Sequence, residues 1–215
     1  MHINPIVGCI VFASAMAAAA SSLAQEEKTR TLFTNVNIYD GVTPELMKGA
    51  NVLVEGNLIS EISTEQIEAN GATVIDGGGR TLTPGLMDTH VHMQLVVAAP
   101  DLEFTPQQDI AIKMVPIAED MLMRGFTTVR DAGGPAIGLQ KAIDRGKAVG
   151  PRIYASGPVI SQTSGHGEHR VYTEPHPNFM GAQPSFFNQH LEFLADGVTE
   201  TLRATREALR LGAVQ

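Results

Sequence analysis

Pro84-Gly85-Leu86-Met87-Asp88-Thr89-His90-Val91-His92 is the stretch that decides how this 215-residue chain is read. A proline–glycine turn opens a short run with β character. In an extended chain, residues two apart point to the same face, so Leu86, Asp88, His90 and His92 are expected on one side and Met87, Thr89 and Val91 on the other. Strands of a parallel sheet are buried on both faces and are normally apolar throughout. Three ionisable residues on one face of such a strand are costly unless something uses them. Two imidazoles at i and i+2 can converge on one divalent ion, and Asp88 is placed to orient a ligating ring from behind.

The sequence before this stretch reads as β structure. Leu32–Tyr39, Asn51–Val54, Leu58–Ile62 and Thr73–Asp76 are short β-prone runs. Asp40-Gly41, Glu55-Gly56-Asn57 and Gly77-Gly78-Gly79 punctuate them as turns. After Gly85 the period changes, with strands at 86–93, 127–131 and 152–156 alternating with helices at 106–124, 136–146 and 197–211. Thr105-Pro106-Gln107-Gln108 has the form of an N-cap, a proline at the first helical position and a capping-box glutamine. Ile110, Met114, Ile117 and Met121 recur at helical spacing, Gly125 is placed to close the helix, and Pro116 is expected to kink or break it. In the last helix Val198, Leu202 and Leu209 share a face and Gly212 is placed to end it. Ala213-Val214-Gln215 reads as the start of a further strand. The 131 residues after Pro84 carry three strand–helix units, against about 250 residues for a closed eight-unit barrel. The expected fold class is therefore α/β, the first half of a (β/α)8 TIM-type barrel preceded by a small β module.

Composition supports a folded chain, with 43% hydrophobic and 18% charged residues. A net charge of −8 with no concentration of Lys or Arg excludes a nucleic-acid partner. The first 24 residues contain no Asp, Glu, Lys or Arg, and the apolar run Ile6–Ala20 is too short to span a bilayer comfortably. Ser22-Leu23-Ala24 sets small residues before Gln25, so residues 1–24 are read as a signal peptide and the protein as exported, periplasmic or secreted. The single cysteine, Cys9, falls in that segment, so any metal must be held by His, carboxylate or modified Lys.

The run Leu82–His92 resembles the signature of the amidohydrolase superfamily. Gly125–Gly134 and Gly150–Pro158 resemble the second and third strands of its imidazolonepropionase-like and Xaa-Pro-dipeptidase-like branch. The resemblance implies that residues 25–84 are the N-terminal part of a composite β-sandwich completed by C-terminal strands. It implies that residues 85–215 are the first three to four β/α units of the barrel, truncated. It further implies that His90 and His92 bind the more buried metal of a site holding one or two divalent ions, zinc being the expected metal. The family's bridging lysine, two further histidines and general-base aspartate are expected beyond Gln215. Lys113, Lys141 and Lys147 lie in helical stretches and are not promoted to the bridging role.

The loop Ser161–His169 should lie on the active-site face, where barrel loops meet substrate. His166 is the substrate-binding candidate there, with His169 as the alternative. Arg130 and Asp131, ending the second strand, are read as an ion pair or turn anchor, and Gly133-Gly134 lacks the pattern of a phosphate loop. The expected function is hydrolysis of an amide bond in a dipeptide or N-acyl amino acid by metal-activated water. The alternatives are opening of a cyclic amide, or a non-catalytic truncated fragment. The expected partner is a small molecule or dipeptide, with a homo-oligomer left open for the full-length protein.

Overall fold

The computed structural model describes residues 29–97, 99–180 and 191–215. The leader expected over residues 1–24, with Cys9, lies outside the described residues. The chain divides into two compact units, Met1–Pro84 and Gly85–Gln215. Among the described residues, no helix is long and apolar enough to cross a membrane.

The first unit is one mixed sheet. Its strands are β1 (Arg30–Ile38), β2 (Met47–Glu55), β3 (Leu58–Ser63), β4 (Thr73–Asp76) and β5 (Thr81–Leu82). They run in the order β3-β2-β1-β4, and β5 also pairs with β1. β2 and β3 form a hairpin closed by Gly56-Asn57, with Glu55 opposite Leu58, and β1 runs parallel to both β4 and β5. Leu32, Leu53 and Ile67 form a small buried core. Leu58, Ile59 and Val74 are exposed.

The second unit holds β6 (Leu86–Val91), α1 (Gln107–Met123), β7 (Phe126–Asp131), α2 (Ile137–Asp144), β8 (Arg152–Ala155), β9 (Val159–Ser161), α3 (Pro177–Met180), β10 (Glu192–Leu194) and α4 (Gly197–Leu211). β6, β7 and β8 form a parallel sheet in that order, joined through α1 and α2. The core between sheet and helices contains Ile110, Met114, Val129, Leu139 and Ile153. Val214 donates its N–H to the Ala155 carbonyl at 3.0 Å, which sets the last residues of the chain alongside β8.

Several expectations are corrected here. α1 runs unbroken through Pro116. That residue lies on the exposed side, where water can take the carbonyl its missing N–H leaves free. The cap of α1 is also different: no side chain caps it, and the Thr105 hydroxyl turns back to the Asp101 carbonyl at 2.7 Å. Ala118 takes the buried place on α1 that the period assigned to Ile117, which is exposed. The Val198, Leu202 and Leu209 face of α4 is exposed, and Ala204 and Ala208 pack instead. Gly212 ends α4 in the left-handed conformation, φ 113°, as its position required. β6 lies at one edge of the three-stranded sheet, with Leu86 and Met87 exposed. The long connection after β8 contains two unforeseen strands, β9 and β10, paired in parallel.

Candidate functional site

The end of β6 does not keep the simple alternation of a flat strand. Asp88 pairs with Val129 and Val91 with Asp131, so three steps along β6 match two along β7, a β-bulge at Thr89–His90. A bulge bends its strand and re-aims side chains, and bulges concentrate next to active sites. Asp88 Oδ1 accepts the His90 backbone N–H at 3.0 Å, which satisfies the amide that the bulge takes out of the ladder. The hydrogen bond Asp88 makes is thus to the main chain of His90.

His90 and His92 are nonetheless brought together. Their rings meet edge to face with centroids 5.1 Å apart. His92 Nδ1 lies 3.4 Å from the Gly133 carbonyl oxygen. A carbonyl can only accept, so this long contact is favourable when the imidazole proton sits on Nδ1, which leaves the Nε2 lone pair free for a ligand. Gly133 has no alternative here: a Cβ on it would fall 2.2 Å from Val159 Cγ2 and 3.8 Å from His92 Cε1. The Gly133-Gly134 pair is thus a place of close approach, since a Cβ on Gly134 would fall 2.3 Å from the Gln94 amide oxygen.

Behind the two rings lies a residue whose burial the sequence did not disclose. Asp131, at the end of β7, is fully buried and accepts the Met93 N–H through Oδ1 at 2.8 Å. Its other carboxylate oxygen is buried and makes no hydrogen bond within 3.5 Å among the described residues. Burial pushes this carboxyl up to about 6, against the opposing effects of the Met93 N–H, His92 and the Gly133 N–H. Arg130 Nε donates across the sheet to the Thr89 carbonyl at 2.6 Å, and no ion pair joins Arg130 to Asp131 among the described residues.

His166 is exposed on the loop after β9, and its ring makes no hydrogen bond among the described residues. His169 is engaged elsewhere, giving both its backbone N–H and Nδ1 to Glu192 Oε2 at 2.9 Å. Glu192 is itself buried, which raises its pKa despite the His169 hydrogen bonds. Lys113 pairs with Asp109 at 2.8 Å within α1, Lys141 lies in α2, and Lys147 follows that helix in a turn and not within it. A cavity of about 330 Å³ between β9 and α4 is lined by residues such as Val159, Leu209 and Gln215, none of them ionisable. Among the described residues, no group of three or more His, Cys, Asp or Glu side chains is placed to hold a metal ion. The donor set is therefore a pair of imidazoles. It fits a divalent cation of the zinc type as two ligands of a larger set.

Comparison with known proteins identifies the family. Ochratoxinase from Aspergillus niger is 31% identical over 147 residues, covering 61% of this chain and 29% of that protein. A solved amidohydrolase superposes with a TM-score of 0.75 at 39% identity, covering 87% of this chain and 46% of its own. A solved prolidase, complexed with N-methylphosphonate-L-proline, gives 0.76 at 34% identity, covering 86% of this chain and 45% of its own. The chain thus spans about half the length of these solved relatives and less of ochratoxinase. These relatives are TIM-barrel enzymes, and this chain is mixed α/β like them. The sequence model of the amidohydrolase family matches residues 81–215, from just before the proline–glycine turn through the whole of the second unit, and the chain belongs to that family.

Proposed function

We propose that this chain supplies the first two metal ligands, His90 and His92, of an enzyme that hydrolyses an amide bond in a dipeptide or N-acyl amino acid. The observation that carries the reading is the pairing of these two rings at the C-terminal end of a parallel strand, the end at which TIM-barrel sites are built. The Gly133 carbonyl favours the tautomer that leaves His92 Nε2 available. When bound, a divalent metal supplies a water of lowered pKa and polarises the substrate carbonyl. The chain's own residues hold and aim the two imidazoles: Asp88 through the His90 amide and Gly133 through the His92 ring. Two imidazoles fall short of the three protein ligands usual for catalytic zinc, so the remaining ligands and the general base are assigned to strands this chain does not contain.

On the same reading, residues 85–215 are the first units of a barrel, with Val214 marking the line of a fourth parallel strand beside β8. Residues 25–84 form part of a composite β-sandwich whose second layer comes from elsewhere. Kinship with ochratoxinase and with a prolidase bound to a proline phosphonate supports an amide substrate. His166, exposed on a loop at this end of the strands, is the candidate to meet it. In the intact protein, His90→Ala combined with His92→Ala should lower zinc content by elemental analysis and abolish hydrolysis across a panel of dipeptides and N-acyl amino acids. Unchanged zinc would refute the assignment. We also propose that residues 1–24 direct export and are removed. The mature protein should then begin at Gln25 by N-terminal sequencing, and a retained Met1 would contradict this.

A further inference from the structure

The ladder between β6 and β7 ends at the Val91–Asp131 pair, so His92 and Met93 lie beyond the regular sheet. What fixes them is a knot of contacts from the segment that follows β7. The Ala132 N–H donates to the Val91 carbonyl at 2.8 Å. Asp131 Oδ1 accepts the Met93 N–H at 2.8 Å, and the Gly133 carbonyl faces His92 Nδ1 at 3.4 Å. The main chains on both sides of His92 are therefore tied to residues 131 and 132, and its ring to residue 133. Met93 and Asp131 are both buried, so without the carboxylate the Met93 amide would be left in the core with no acceptor, which is costly for a buried donor. The Asp131 carbonyl is held from the other side by the Ser156 N–H at 3.2 Å and by Gln215 Nε2 at 2.9 Å. The brace is thus anchored to β8 and to the last residues of the chain. Among the described residues, Asp131 and the two histidines are not grouped as three donors placed around one point.

We infer that Asp131 is the positioning residue of this site, its side chain substituting for the missing ladder bond at Met93 so that the His92 ring stays against the Gly133 carbonyl with Nε2 free. The inference rests on the reading of His92 as a metal ligand. It is tested first on the metal-free protein, where the contacts of the brace can be read apart from ligation.

The test is imidazole 15N NMR of the intact, metal-free, histidine-labelled protein at neutral pH, followed by zinc titration. In the wild type, His92 should give one set of shifts belonging to the Nδ1–H tautomer, and the Met93 amide should exchange slowly. Asp131→Asn keeps an oxygen acceptor and should preserve both signatures. Asp131→Ala, or Asp131→Leu, which fills the space without an acceptor, should move His92 toward a mixture of tautomers and weaken zinc binding about 10- to 100-fold. Val129→Ala, a buried position on the same strand, serves as the control that loses stability without touching the brace and should leave the His92 shifts in place. A His92 spectrum unchanged in Asp131→Ala or Asp131→Leu, or altered equally in Val129→Ala, would overturn the inference. If neither truncating variant folds, a rapidly exchanging Met93 amide in the wild type overturns it and a protected one upholds it. Tautomer shifts that follow Asp131 while zinc content ignores His90→Ala and His92→Ala would leave the brace standing and remove the metal assignment.

Discussion

At the scale of single residues, the chemistry of this chain is concentrated where the β6 ladder fails. Asp88 and Asp131 are both carboxylates that accept a backbone N–H next to a histidine, one serving His90 and the other the amide after His92. Their environments differ: Asp131 is fully buried, whereas Asp88 is partly open to solvent. Burial raises Asp131 from 3.8 to about 6, and the sign of the consequence follows from linkage. Between these values the unfolded chain has released the proton and the folded chain still holds it. Stability from this group is therefore fully present at low pH and is lost as pH rises through about 6. Asp131→Asn removes the titration while keeping an acceptor for Met93. In the metal-free protein the wild type should match this variant near pH 4 and fall behind it by on the order of 2–3 kcal/mol above pH 6, as read from urea melts across that range. A constant difference between the two would show that Asp131 ionises freely. That His90 and His92 lie together was legible in their spacing, and the sequence marks them because two imidazoles in an apolar strand are costly unless a ligand uses them. Asp131 was not, since an aspartate ending a strand looks the same in sequence whether it faces water or a core.

At the scale of elements, the sequence signals that worked are those with a local cause. Gly212 closes α4 because a left-handed residue there costs glycine nothing. Thr73–Asp76 is a strand with the bounds its β-prone run set. Signals that depended on what lies opposite an element misled. Pro116 does not break α1, because tertiary packing of Ile110, Met114 and Ala118 holds the helix on both sides of it. The proline still forfeits a hydrogen bond and crowds the preceding turn, so Pro116→Ala should raise stability by about 1–3 kcal/mol, measured as a shift in denaturation midpoint with unchanged slope. A destabilised variant would mean that the proline side chain makes packing contacts worth more than the bond it removes. β9 and β10 escaped notice because each is three residues long, too short for a period to register, and each is a strand only by virtue of the other.

At the scale of the whole molecule, each unit leaves large apolar side chains in water. In the first these include Leu58, Ile59 and Val74, and in the second Met87, Ile112, Val198 and Leu202. β6 also presents an open edge, and such edges and patches drive association. The chain on its own should sediment as concentration-dependent oligomers and bind a hydrophobic dye, whereas a clean monomer with no dye binding would show these faces to be innocuous. The amino-acid sequence by itself determined the order of elements, the change of period at Pro84-Gly85, the pair of histidines and the family they announce. Those features are written in local spacing, turn chemistry and residue type, which require no knowledge of neighbours. Only the tertiary structure decided that a bulge turns Asp88 to the His90 amide, that Asp131 is buried under Met93, and that the Gly133 carbonyl meets the His92 ring. Each of these depends on register across strands some forty residues apart, a quantity set by packing and hydrogen bonding between elements and carried by no single stretch of the chain.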